Sequence, residues 1–232
     1  MGLEFEHRSS ESPWIERVWR SRSLGTTTMT SVARSQWDFV FWEGPDGIFA
    51  GVKGPESRAS QAPVPADADF LGIRLALGVV IPDLPGRALV DRFVDLPTDG
   101  SSFHVAGNRL RTPRFDDAEV FIEHLIRAEL LLSADIQDRS VTERTRQRRY
   151  LAAVGLPQRT VLQIERASDA AVRLKEGQQP ALVAQESGYF DQPHLARSLR
   201  RFIGPTATEL GQEAENAHPL SLLYKTSDSH HR

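Results

Sequence analysis

The chain of 232 residues contains no cysteine. That absence excludes disulfide bonds, thiol nucleophiles and thiolate metal sites, leaving His, Asp and Glu as the only metal-binding side chains. Seven histidines are scattered without a His-x-His pair, so no metal centre is read. No apolar run approaches the ~20 residues that a membrane span requires. Met1 to Ser10 carries charges where a signal peptide would place its apolar segment, which points to a cytoplasmic protein with no membrane partner. No nucleophile motif surrounds a serine and no glycine-rich phosphate loop is present, so neither an enzyme nor a cofactor is expected. Lysine is scarce too, with only Lys53, Lys175 and Lys225 among 28 basic residues. The remainder are arginines, whose planar fork suits phosphates and guanine edges, although a biased genome composition gives the same excess.

What is present is an ordinary globular composition, 40% hydrophobic and 25% charged, enough for one large or two small domains. The net charge of −3 hides an asymmetry. Between Arg139 and Arg201 there are 12 basic and six acidic residues, a net of +6, while the rest of the chain is net −9. A basic block beside an acidic remainder is the pattern of a polyanion-binding domain joined to a part with another task, or of a solvated charged helix face.

Up to about Arg114 the pattern is β-rich. Trp37, Phe39 and Phe41 alternate with Asp38, Val40 and Trp42, and Gly44-Pro45-Asp46-Gly47 turns the chain back into Ile48 to Val52, a hairpin. Phe70 to Val80 and Phe103 to Val105 read as further strands. After Pro113 the period becomes 3.6. Asp116 or Asp117 caps a helix with Val120, Phe121, Leu125 and Ile126 on one face, and a short helical segment follows around Ser133 to Arg139. Thr142 opens a helix ending at Gly155, and Pro157 to Lys175 carries Val161, Ile164, Ala167, Ala171 and Leu174 on one stripe. Pro180 to Ser187 and Asp191 to Phe202 complete the helices, and a polar tail follows.

These last two helices, joined by Gly188-Tyr189-Phe190, meet the requirements of a helix-turn-helix. Leu182, Val183 and Ala184 would face a core, as would Leu195, Leu199 and Phe202, leaving Gln192, Pro193, Ala196, Arg197 and Arg200 outward. Gln pairs with adenine, Arg grips guanine, and Ala touches a thymine methyl. His194 reads equally as a base contact or a packing histidine.

The run from Gly188 to Gly204, Gly-Tyr-Phe-Asp-Gln-Pro-His-Leu-Ala-Arg-Ser-Leu-Arg-Arg-Phe-Ile-Gly, closely resembles the signature of the AraC-type transcription regulators. Upstream, Thr142 to Thr145, Gln147 to Tyr150, Gly155 and Arg166-Ala167 resemble the same family in the right order. The chain departs from the family pattern at Arg146, at Ala207 and in the short segment before Thr142. The resemblance implies two helix-turn-helix motifs joined by a long helix, reading successive major grooves of double-stranded DNA. Arg144, Gln147 and Arg148 would address one groove, Gln192, Pro193, Ala196 and Arg197 the next, and Arg149, Arg200 and Arg201 would hold phosphates. It also implies an N-terminal sensor, often cupin-like, that binds a small-molecule effector and supports a homodimer. Phe39, Trp42 and Phe49 are candidates to line an effector pocket, or else core aromatics.

The expectation is therefore an α+β protein: a β-rich sensor over 1–114, an all-α double helix-turn-helix over 115–215, and a polar tail over 216–232. Its expected role is sequence-specific DNA binding in transcription control. The rival reading is a small-molecule or protein-binding module built on a degenerate helix-turn-helix scaffold.

Overall fold

The structure, a computed structural model, describes residues 3–82, 84–136, 138, 140–212, 220 and 221. It is α+β, with a β-rich N-terminal region followed by a helical C-terminal part. Contacts divide the chain into two compact units. The first holds residues 1–27, 35–55 and 64–158, and the second holds 28–34, 56–63 and 159–232. The division therefore does not follow the sequence boundary at Arg114.

The strands in chain order are β1 (Leu3–Arg8), β2 (Ile15–Ser23), β3 (Thr27–Ser31), β4 (Asp38–Gly44), β5 (Gly47–Lys53), β6 (Ser60–Val64), β7 (Asp69–Leu75), β8 (Val79–Val80), β9 (Phe93–Leu96), β10 (Thr98–Asp99), β11 (Ser102–Val105), β12 (Asn108–Arg111), β13 (Leu132–Ser133) and β14 (Leu220–Ser221). The helices are α1 (Gly86–Leu89), α2 (Ala118–Arg127), α3 (Glu143–Val154), α4 (Gln158–Lys175), α5 (Pro180–Glu186), α6 (Gln192–Phe202) and α7 (Ala207–Gln212).

In the first unit an antiparallel sheet runs in the order β1-β2-β7-β4-β5-β9. The β4–β5 hairpin closes at the Gly44↔Gly47 pair, where the turn residues place it. Strand alternation sends Phe39, Phe41, Ile73 and Val52 to one face, where they are buried with Phe103 of β11 and with Phe121, Ile122 and Leu125 of α2. Phe121 meets Phe39 and Phe41 edge-on, at ring separations of 5.7 and 5.8 Å. The inner stripe of α2 differs from the expected one: Ile122 is buried and Val120 is 66% exposed. On the strands themselves, Arg74 of β7 forms a buried ion pair with Asp38 of β4 at 3.0 Å. The start of α2 is tied to β1, since Arg8 donates to both carboxylate oxygens of Glu119 and to the Phe115 carbonyl.

The short helix expected around Ser133 to Arg139, just before α3, is not formed by the described residues. No described residue between Arg127 and Glu143 is helical; Leu132 and Ser133 instead pair antiparallel with Val80 and Val79. A strand ladder satisfies the backbone there, which the local apolar pattern does not reveal. Helix α3 itself runs as the caps dictate, with Thr142 accepting from the Thr145 amide and Gly155 left-handed at φ 80°. A Cβ at Gly155 would stand 2.6 Å from the Gly86 carbonyl oxygen, so the glycine also permits the close approach of α1.

The second unit contains α4, α5, α6 and α7 together with β3 and most of β6. Its buried residues include Val161, Ile164, Ala167, Ala171 and Leu174 of α4, the stripe the sequence places inward. The three-stranded sheet β14-β3-β6 also lies here. Leu220 and Ser221 pair parallel with Thr30 and Ser31, and the rest of the tail over 216–232 lies outside the described residues.

Candidate nucleic-acid interface

Pro180 opens α5 at a position where a missing amide costs nothing. The helix ends into Gly188, whose φ of 69° would strain any residue with a side chain. Tyr189 then turns inward: its amide donates to the Ala184 carbonyl at 2.9 Å and its hydroxyl lies 3.1 Å from that of Ser198. Arg166 of α4 spans this turn, with its guanidinium 4.3 Å from the Tyr189 ring centroid and 3.3 Å from the Gly188 carbonyl.

Asp191, in an extended conformation, caps α6 by accepting from the His194 amide at 2.7 Å. Pro193 sits in the first turn, where its lack of an amide is harmless. Leu195, Ser198, Leu199 and Phe202 are buried, whereas Gln192, Pro193, Ala196, Arg197, Arg200 and Arg201 are exposed. His194 is half-buried and packs edge-on against Tyr189 at 5.2 Å. Leu182, placed inward by sequence, is 46% exposed; α5 is so short that Val183 and Ala184 supply its buried face.

The far end of α6 is held by chain from the first quarter of the sequence. The amide of Ala33 donates to the Phe202 carbonyl at 2.7 Å and that of Ala59 to the Arg201 carbonyl at 2.8 Å. Both carbonyls belong to the last turn, where a helix has no internal donors left. Arg34 and Glu56 exchange backbone hydrogen bonds, and their side chains form a buried ion pair at 3.4 Å, with Ser31 also donating to Glu56. No local pattern signals this clamp, because its residues lie more than 130 positions from α6.

Arg197, Arg200 and Arg201 make no ion pair with any described residue; Asp191 caps the helix, and Glu209 feels the charge of Arg200. The outward side of α6 is thus cationic, with Gln192, Pro193 and Ala196 beside the charges. On α3, Arg144, Gln147, Arg148 and Arg149 are exposed. Gln147 bonds Glu143 at 2.8 Å, Arg149 pairs with Asp138 at 2.9 Å, and Arg146 pairs with Glu143. The two sets do not share a compact unit: α3 belongs to the first and α6 to the second.

The three candidate pocket residues do not face one space. Phe39 is 1% exposed in the core under α2, while Trp42 stacks on Phe49 at 5.0 Å on the opposite face of the sheet. Residues 39 and 42 differ by an odd number of positions, so the pleat separates them. Among the described residues no helix is long and apolar enough to cross a membrane. Comparison of the chain with protein-family models, with curated proteins and with solved structures finds no significant match.

Proposed function

We propose that the protein is a sequence-specific DNA-binding transcription regulator of the AraC type, in which α5 and α6 form a helix-turn-helix and α6 enters a major groove. The observation that carries this reading is the division of α6. Its apolar residues are buried, Asp191 caps its start, and Gln192, Pro193, Ala196 and Arg197 stand exposed with Arg200 and Arg201 flanking them. In this reading Gln192 and Arg197 pair with base edges, Ala196 meets a thymine methyl, and Arg200 and Arg201 grip phosphates.

The resemblance extends the proposal to α3, where Arg144, Gln147 and Arg148 would address a second groove and Arg149 a phosphate. For that, Gln147 must leave Glu143 and Arg149 must leave Asp138. The β-rich region then acts as the sensing and dimerising part, of the cupin-like kind, with Trp42 and Phe49 as its candidate effector contacts. A second reading, a protein- or metabolite-binding module on a degenerate scaffold, is favoured by one feature: among the described residues no helix stands directly before α3 to brace it.

Selection of bound sequences from a random duplex pool with the full chain tests the proposal. The expected result is a recovered motif bound more weakly as salt rises, each phosphate contact adding about −0.9 to the log–log slope. Failure to retard any duplex at low salt overturns it in favour of the second reading.

A further inference from the structure

The turn that precedes α6 holds the most exposed large apolar side chain among the described residues, Phe190, at 91% exposure. An apolar residue just before an N-cap ordinarily packs on the fourth helical residue, stapling the helix entry. Here that residue is Leu195, which is 1% exposed, so Leu195 serves the interior while Phe190 remains in water. The staple is not made.

The ring nevertheless projects from fixed backbone. Tyr189 on one side is buried and bonded to Ser198, and Asp191 on the other caps the helix. The amide of Phe190 itself donates to Nδ1 of His194 at 3.4 Å. A rigidly presented ring that contributes nothing to the fold is available to a partner. The character of that partner follows from the surroundings: Gln192, Pro193 and Arg197 are exposed on the same helix, and its exposed charges are cationic, complementary to a polyanion.

Resting on the DNA-binding reading above, we infer that Phe190 is a specificity-determining residue, whose ring packs on the C5-methyl of a thymine when α6 enters the major groove. The N-terminal end of a recognition helix is the part that reaches base edges. The thymine methyl is the apolar feature of the major groove, and phenylalanine is among the side chains suited to it. Phe190 thereby adds a preference that Gln192 and Arg197, which read hydrogen-bonding edges, cannot supply.

The test uses the full chain, its selected operator, and duplexes in which each thymine in turn is replaced by deoxyuridine, which removes only the methyl. At one position the replacement weakens wild-type binding about fourfold, the worth of one buried methyl. Phe190→Ala binds the parent operator more weakly, no longer responds to that replacement, and keeps the wild-type melting temperature. Three outcomes overturn the inference while leaving the DNA-binding reading standing: Phe190→Ala binds as tightly as wild type, it keeps the same deoxyuridine sensitivity, or it loses affinity with a lowered melting temperature and no thymine-specific coupling. Absence of any retarded duplex with wild type overturns both.

Discussion

The guanidinium of Arg166 lies over the ring of Tyr189, 4.3 Å from its centroid, and joins the long helix α4 to the turn from which α6 springs. Arg166 is half-buried, so the contact is partly shielded from water. Arg166→Ala is expected to destabilise the second unit by about 1 kcal/mol, the usual worth of a partly shielded cation–π contact. Because the residue positions the turn without reading bases, operator affinity should fall equally for matched and mismatched duplexes. Competition titrations against single-base operator variants check this, and a changed base preference would refute a purely positioning role.

Arg197 and Arg201 occupy the same helix with different expected duties. Arg197→Ala should cost about 1–3 kcal/mol at its own base pair and relax selection there. Arg201, whose guanidinium lies over the Phe202 ring at 4.8 Å, stands at the C-terminal end, so Arg201→Ala should weaken all sequences alike and flatten the salt slope by about 0.9. Mobility-shift titrations at several salt concentrations separate the two, and interchangeable behaviour would contradict the assignment.

The clamp on the C-terminal end of α6 contains the buried Arg34–Glu56 pair, with side chains 8% and 6% exposed. Removing one partner leaves a buried charge without its counter-ion, so Glu56→Ala should cost about 3 kcal/mol. Urea unfolding gives the magnitude. Hydrogen exchange should show accelerated exchange at the amides of Ala33 and Ala59, which close the last turn of α6; unchanged protection at both would show that the clamp holds without the ion pair.

Stability should carry a pH signature from Glu119. The Arg8 guanidinium foremost, and then the Ser10 hydroxyl, hold its carboxyl at about 2 instead of 4.5. A folded value below the unfolded one stabilises the native state fully above about pH 4.5, and that contribution disappears as pH falls toward 2. With side chains 29% and 31% exposed, solvent screening limits the gain to about 1 kcal/mol. Glu119→Gln should therefore unfold earlier than wild type in urea at pH 6 but nearly with it at pH 2.5. An equal gap at both pH values would refute the linkage.

Legibility in the sequence followed the range of the interactions. The hairpin at Gly44 to Gly47, the caps Thr142 and Asp191, and the inner stripe of α4 were readable because each is set by neighbours within a few residues. Strands β1 and β2 were not recognised: β1 alternates only Leu3 and Phe5 with Glu4 and Glu6, and β2 sets Val18 beside Trp19 and Glu16 beside Arg17, which blurs its alternation. The supposed helix around Ser133 gave way to a ladder with β8, more than 50 residues earlier. On the candidate interface, the exposure of Gln192, Pro193, Ala196 and Arg197 matches the helical periodicity, whereas Phe190 looked like an ordinary turn residue.

By itself the sequence determined where α3 and α6 begin, where α3 ends and which side of α6 is polar, because capping and periodicity act within one or two turns. Only the tertiary structure decided that the face of the sheet bearing Phe39, and not the one bearing Trp42 and Phe49, forms the core under α2, and that Leu182 and Phe190 stay in water. It also decided that residues 28–34 and 56–63 join the helices of the C-terminal part. Such pairings connect distant stretches of chain. They are selected by satisfying backbone groups and burying apolar surface across the whole fold, which no local pattern encodes.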